Sequence, residues 1–207
     1  MKHTLKRATL FLVLVVALMT CSVQASAKVI YTGNLDVDTR IEKIIKKNTK
    51  PGMSKKQQLK ACFVYLVQHM TYTHHKNGKT KVVITNKDRA AMKAKIKELK
   101  AEKGIKFSKK FRRDFISART LRGTCKGQSA MMGMIANHLG YRAGYVTGVF
   151  YGSHKVVGHW WSYLIYKGKR YECDVNAASV RRYRKSGGLK YFMQPARGKW
   201  RRTHKPF

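Results

Sequence analysis

The stretch GTCKGQSAMMGMIANHLG, residues 123–140, decides the fold. Its apolar side chains surround nearly every side of a helix that would begin at Cys125 and end at about Leu139. A helix that is apolar all round is buried inside its domain. We therefore expect a buried central helix, capped by Thr124, in which Gly133 allows a neighbouring element to approach closely.

Cys125 would occupy the first turn of this helix, which is a favourable place for a thiolate. The first backbone N–H groups of a helix have no partner within it, and the helix dipole favours negative charge at this end. Lys126 adds a cation beside the sulfur. Because the thiolate is the reactive form of cysteine, Cys125 is a candidate nucleophile, although a lone cysteine at a helix start is more commonly a packing residue.

Three strand-like segments follow the helix, at residues 142–151, 156–166 and 169–175. They are rich in the β-branched and aromatic residues that strands favour. Lys167 and Gly168 separate the last two segments, and a two-residue turn containing glycine is a strong hairpin signal. We therefore predict that the second and third segments form an antiparallel hairpin.

The register of this hairpin brings two polar residues together. If the turn residues are left unpaired, Asp174 lies opposite Trp161, and Asn176 lies opposite His159. His159 and Asp174 then share one face as diagonal neighbours about 7 Å apart. Cys173 falls on the other face. A slip of one residue would exchange the two faces, so the prediction depends on the turn.

These segments resemble the core of the transglutaminase-like superfamily, which has a papain-like cysteine, histidine and aspartate arrangement. The resemblance lies in two long runs, GTCKGQSAMMGMIANHLGYRAGYVTG at 123–148 and GHWWSYLIYKGKRYECDVN at 158–176. It extends to ACFVYLVQHMTY at 61–72 and GGLKYFM at 187–193, as in bacterial exported members. The resemblance thus covers about residues 55–193, and the lysine-rich stretch near 86–110 matches less well.

The resemblance implies an α+β fold. In such a fold the central cysteine-bearing helix packs on an antiparallel β-sheet, with additional helices on the N-terminal side. It also implies that Cys125 is the nucleophile, His159 the general base and acid, and Asp174 the residue that orients the imidazole. The expected reaction is attack on a peptide or isopeptide amide, giving a thioester that passes to water or to an amine.

The same resemblance implies an oxyanion hole that includes the Cys125 backbone N–H. Tyr72 and Arg119 are candidates for the second donor. We expect no cofactor and no metal, because a calcium site needs clustered oxygen ligands and the nine carboxylates of this chain are scattered. Zinc held by Cys125, His159 and Asp174 is the alternative use of these residue types, but no second cysteine motif supports it.

The composition indicates a class of partner. The chain carries 45 Lys and Arg residues against nine Asp and Glu residues, a formal net charge of +36. Such a charge attracts an anionic cell-wall polymer, nucleic acid or another polyanion, whereas for most single lysines solvation of an exposed face is the simpler interpretation. A second hypothesis therefore stays open beside the enzyme, namely a non-catalytic basic module that binds such a polymer on the same fold.

The N-terminus is typical of a signal peptide. Three basic residues among the first seven positions precede an apolar run at residues 10–19, which is too short for a membrane span of about 20 residues. Cleavage after about Ala27 would lower the net charge to +33 and predicts a secreted or cell-envelope protein. A lipoprotein acylated at Cys21 is the alternative.

The remaining chain is long enough for one domain with its own core. We expect helices at about residues 38–47, 54–70, 86–103 and 107–121. The predicted organisation is a signal peptide at 1–27, an N-terminal segment at 28–53, a transglutaminase-like domain at 54–195 with a basic helical insert at about 86–110, and a basic C-terminal tail at 196–207.

Two further cysteines, Cys62 and Cys173, have alternative interpretations. A disulfide between them would leave Cys125 as the free thiol. Alternatively, both are buried thiols that pack as small apolar residues.

Overall fold

The computed structural model describes residues 29–73, 75–76, 79–80, 85–87, 89–91, 93–94, 97, 109–152 and 156–207. The helices are α1 Leu35–Asn48, α2 Lys55–His69, α3 Lys109–Thr120, α4 Cys125–His138, α5 Val175–Ala178, α6 Arg181–Arg184 and α7 Lys199–Thr203, with a 3-10 turn at Leu189–Tyr191. The strands are β1 Thr71–Tyr72, β2 His75–Lys76, β3 Lys79–Thr80, β4 Arg122–Gly123, β5 Arg142–Tyr151, β6 Val156–Tyr166, β7 Lys169–Cys173, β8 Gln194–Pro195 and β9 His204–Pro206. The described residues between 86 and 97 are helical.

The helices on the N-terminal side form where the apolar periodicity predicts them. Ser54 begins α2 with a capping box, in which its hydroxyl accepts from the Gln57 backbone and the Gln57 side chain accepts from the Ser54 backbone. The predicted helix at 38–47 begins three residues earlier, because the Asn34 side chain accepts from the first backbone N–H groups of α1. The rest of the predicted helix at 86–103 lies outside the described residues.

The central helix α4 is buried along nearly its whole length, as its composition predicts. Thr124 occupies the N-cap position, but its side chain makes no capping hydrogen bond, which differs from the predicted role. A Cβ atom built on Gly133 would lie 3.4 Å from the carbonyl oxygen of Gly144 in β5. The glycine therefore lets the helix pack closely on the sheet.

The sheet is antiparallel, with the strand order β8-β7-β6-β5-β9. Helix α4 packs on its central strands β5 and β6. Together these elements make a mixed helix and sheet fold with a curled antiparallel sheet, which agrees with the predicted α+β class at that level.

The hairpin of β6 and β7 has the predicted register, from Tyr166 opposite Lys169 to Ser162 opposite Cys173. Both turn residues have positive φ angles, 48° at Lys167 and 71° at Gly168, as a two-residue hairpin turn of type I′ requires.

The third strand is two residues shorter than predicted, and the pairs Trp161–Asp174 and His159–Asn176 do not form. The cause is Asp174, whose side chain accepts a hydrogen bond from the Ala177 backbone at 2.9 Å and begins α5. This cap turns the chain out of the sheet directly after Cys173.

Two apolar clusters lie on the sheet. The main core contains α4, side chains of α1 and α2, and Leu164 and Cys173 of the hairpin. A smaller cluster joins Val146 and Trp161 of the sheet to Trp200 of α7. Cys62 and Cys173 are buried free thiols, and burial raises the pKa of each to about 12. The packing interpretation of these two residues therefore holds, and the disulfide does not form.

The last residues of the chain belong to the folded body. Residues 196–207, interpreted from the sequence as a basic tail, contain α7 and β9, and β9 pairs with β5 at the edge of the sheet. None of the helices in the described part of the chain is long and apolar enough to cross a membrane. The predicted signal peptide lies outside the described residues.

Candidate active site

Cys125 stands at the N-terminus of α4 and is partly exposed. Strand β4 leads directly into it, and β4 pairs in parallel with β1, which places Tyr72 beside Gly123. The predicted neighbouring cation, Lys126, lies with its ammonium 4.5 Å from the centre of the Trp160 ring. The cysteine therefore lies at a helix start, directly after a short parallel strand pair, and the next residue makes a cation-π contact.

His159 connects Cys125 to Asp174. The Nε2 atom of His159 lies 2.7 Å from Oδ2 of Asp174, and Cys125 lies near enough for its charge and hydrogen bonding to raise the pKa of the imidazole. Since Nε2 is engaged by the carboxylate, Nδ1 is the ring nitrogen left for Cys125. His159 is 5% exposed and Asp174 is 1% exposed. The structure thus brings together all three residues that the sequence singled out.

The charges around His159 favour a protonated imidazole. Burial by itself would lower the pKa of His159, but the charge and hydrogen bond of Asp174, together with Cys125, outweigh it and raise the pKa to about 10. Burial would raise the pKa of Asp174, yet the two histidines that contact its carboxylate hold it well below its usual range. An ionised Asp174 facing a charged His159 is therefore the arrangement at neutral pH.

Tyr72 lies close enough to Cys125 for their charges to interact. Burial, and to a smaller degree the neighbouring cysteine, raise the pKa of the Tyr72 phenol, so that it remains a hydrogen-bond donor at neutral pH. Arg119, the other predicted candidate for the oxyanion hole, lies in the last turn of α3.

Two buried residues near the site were not found from the sequence. His204, in β9, places Nε2 3.0 Å from Oδ2 of Asp174 and is fully buried. It carried no sequence signal, because its partner, Asp174, lies 30 residues away at the start of α5.

Glu172 is the second such residue, and it is also fully buried. It accepts from the indoles of Trp161 at 2.7 Å and Trp200 at 2.6 Å, and its carboxylate pairs with Arg201 at 2.7 Å and Arg170 at 2.9 Å. The sequence did offer one signal for Glu172. It is an acidic residue on the same sheet face as Trp161, in a chain with only nine carboxylates. Glu172 ties helix α7 to the sheet.

Metal binding is the alternative use of these residue types. Within the described ranges, no group of three or more His, Cys, Asp or Glu side chains has a geometry that could hold a metal ion.

No family model and no curated protein matches this sequence. A solved structure, the crystal structure of a TGase, is similar to this chain. The two share 21% identity with a TM-score of 0.45, over 71% of this chain and 33% of that one. The chain therefore spans about a third of the length of that protein.

Proposed function

We propose that this chain is an exported transglutaminase-like cysteine enzyme that transfers acyl groups from peptide or isopeptide amides through Cys125. The observation that carries the proposal is the continuous line from the Cys125 thiol through the His159 imidazole to the Asp174 carboxylate. A cysteine sulfur, an imidazole and a buried carboxylate in this order can form a thiolate–imidazolium pair, which is a nucleophile with a proton donor beside it.

The first half of the reaction forms a thioester. The Cys125 thiolate attacks the amide carbonyl carbon, and the carbonyl oxygen becomes an oxyanion. His159 donates its proton to the departing nitrogen, the C–N bond breaks, and an amine leaves. Asp174 keeps the imidazole ring in position and stabilises its charged form at the start of this step.

The second half releases the acyl group. Neutral His159 takes a proton from water or from a primary amine, which attacks the thioester carbon while the C–S bond breaks. Water gives a carboxylic acid and an amine gives a new amide, and in both cases the thiolate and imidazolium are restored. The site thus supports both a protease or amidase reaction and a crosslinking reaction.

The oxyanion needs donors that face the carbonyl oxygen. The backbone N–H of Cys125 is one candidate, since the first N–H groups of a helix have no partner inside the helix. The Tyr72 phenol supplies the second, because it lies beside Cys125 and keeps its proton at neutral pH. Tyr72 belongs to β1, which pairs with β4, the strand that leads into Cys125.

Alkylation of Cys125 tests the proposal. We expect iodoacetamide at pH 6 to label Cys125 rapidly, and Cys62 and Cys173 slowly because they are buried. His159→Ala should slow the labelling of Cys125 by about 100-fold, since the thiolate loses its partner. Peptide mass spectrometry assigns each label. Slow labelling of Cys125 in the wild-type protein, or no effect of His159→Ala, would overturn the proposal.

Acyl transfer itself is measured with p-nitrophenyl acetate as the acyl donor. A burst of one nitrophenolate per protein, with an acetyl group on Cys125, is the expected sign of the thioester. Adding methylamine then separates the two outcomes, because faster turnover with formation of N-methylacetamide indicates transfer to an amine.

Electrostatic binding to an anionic polymer is a second candidate function, supported by the net charge of +36. It is compatible with the enzyme, because the charge would hold the protein on its substrate layer. We expect binding to a phosphate-rich wall polymer or to DNA to weaken steeply as salt increases. A shallow dependence on salt would remove this candidate and leave the acyl transfer proposal untouched.

A further inference from the structure

His204 reaches the site from the end of the chain. It lies in β9, opposite Phe150 of β5, and the Phe150 ring lies near both histidines, with centroids 5.3 Å from His159 and 4.9 Å from His204. The Nε2 atom of His204 is 3.0 Å from Oδ2 of Asp174. A carboxylate oxygen only accepts hydrogen bonds, so Nε2 of His204 carries a proton and donates it.

Asp174 therefore accepts three hydrogen bonds, two of which do not come from the candidate base. The Ala177 backbone donates to Oδ1 at 2.9 Å, while His204 and His159 both donate to Oδ2. Apart from His159, each carboxylate oxygen thus has one donor, and these two donors fix the rotation of the carboxylate plane. Oδ2 consequently stays directed at His159 even while the imidazole moves its proton to and from the substrate.

His204 is itself held firmly. Its ring stacks on the Trp200 indole with centroids 3.6 Å apart and planes 5° apart, and its Nδ1 atom is hydrogen-bonded to Oγ1 of Thr203 at 2.9 Å. Trp200 in turn donates to the buried Glu172 carboxylate. The imidazole thus has a partner on each nitrogen and a ring against its face, as expected for a group that orients another.

We propose that His204 is a positioning residue, which holds the Asp174 carboxylate against His159 and makes the C-terminal segment 199–207 part of the active site. This inference rests on the proposed function. A tail that merely covered the sheet would need no donor aimed at Asp174, whereas the imidazole makes that contact in a position fully shielded from water.

The rate of Cys125 alkylation by iodoacetamide at pH 6 measures the effect. His204→Phe keeps a stacked ring but removes the donor, and it should slow alkylation by about 10-fold, because a hydrogen bond to a charged group is lost. His204→Gln should keep most of the rate, since the longer amide places an N–H near the position of Nε2. His204→Asn should not, because its shorter amide reaches only the position of Nδ1. His69→Phe, at an exposed histidine, is the matched control.

A double variant separates positioning from general destabilisation. If His204 acts through Asp174, His204→Phe should have no further effect in an Asp174→Ala background. Thermal unfolding shows which variants are folded, and if His204→Phe does not fold, the comparison of His204→Gln with His204→Asn still decides.

The outcomes distinguish this inference from the proposed function. Equal rates in His204→Gln and His204→Asn, or additive effects in the double variant, would overturn the positioning role. If His159→Ala slows alkylation and the His204 variants do not, only the inference fails. If His159→Ala has no effect, the proposed function fails as well.

Discussion

His159 and Asp174 are hydrogen-bonded at 2.7 Å although they are not partners in the strand ladder. The ladder of β6 and β7 ends at Ser162 and Cys173, and Asp174 is the first residue beyond it. Because Asp174 caps α5, its backbone leaves the sheet, while its carboxylate still contacts His159 of β6. A local capping interaction therefore sets the geometry of the pair.

His159 should remain protonated well above neutral pH. Its pKa is raised to about 10, so the stabilisation from the ion pair with Asp174 is present below the ordinary histidine pKa and is lost as the pH rises through about 10. Asp174→Asn should lower this pKa towards about 6.5. NMR titration of the imidazole resonances, with the His159 signal assigned from His159→Gln, measures both values. A wild-type titration near pH 6.5 would contradict the ion pair.

Tyr72→Phe should separate oxyanion stabilisation from nucleophile activation. Acylation by p-nitrophenyl acetate forms an oxyanion, and it should fall by about 100-fold. Alkylation by iodoacetamide forms no oxyanion, and its rate should stay within about twofold. Tyr31→Phe, at an exposed tyrosine, is the control. Equal losses in both reactions would mean that Tyr72 supports the structure of the site rather than the oxyanion.

Glu172→Gln should destabilise the protein and release α7. Breaking a buried ion pair costs about 3–5 kcal/mol, and here two indoles and two arginines lose their charged acceptor. Urea unfolding at pH 7 measures the change, with Glu42→Gln at an exposed position as the control. A loss as small as that of the control would show that the Glu172 contacts contribute little.

The contribution of Glu172 should also depend on pH. Burial would raise the pKa of this carboxyl, but the hydrogen bonds from Arg201, Trp200 and Trp161 outweigh it, so the pKa is lowered. The stabilisation is then present above the ordinary carboxyl pKa and is lost as the pH falls through the lower folded-state value. The difference in unfolding free energy between the wild type and Glu172→Gln should therefore shrink in acid. A difference that is constant with pH would contradict the lowered pKa.

Gly148→Ala should displace the C-terminal strand. A Cβ atom there would lie 2.1 Å from the carbonyl oxygen of Lys205 and 2.5 Å from the Trp161 ring, so β9 must move. We expect slower Cys125 alkylation and faster proteolysis of the C-terminal residues. Gly158→Ala is a matched control one strand away, because its added methyl group would meet no atom within 4 Å. If the C-terminal residues are cleaved faster but the rate of Cys125 alkylation is unchanged, β9 does not support the site.

Much of the site followed from local sequence patterns. The turn at Lys167 and Gly168 fixed the hairpin register, because a two-residue loop leaves one way to pair the strands. The apolar side chains between residues 130 and 139, on nearly all sides of the helix, marked a buried helix with Cys125 at its start. These patterns involve neighbours in the chain or across one tight turn, so they do not depend on the rest of the fold.

Two local details could not be predicted from the local sequence pattern. The sequence predicted a strand as far as Val175, since nothing in the pattern shows that the Asp174 side chain would cap a helix instead. Thr124 was expected to cap α4, yet its side chain makes no such bond. Side-chain hydrogen bonds at the ends of elements depend on the direction in which the chain enters, which residue type alone does not specify.

What the sequence by itself determined was the set of candidate residues, Cys125, His159 and Asp174, and the hairpin that brings the last two together. Only the tertiary structure decided that His204 contacts Asp174 and that Glu172 contacts Trp200 of α7. Those contacts join residues about 30 positions apart through the pairing of β9 with β5 and the docking of α7. No local periodicity encodes such a contact, because it depends on where two separately folded segments meet.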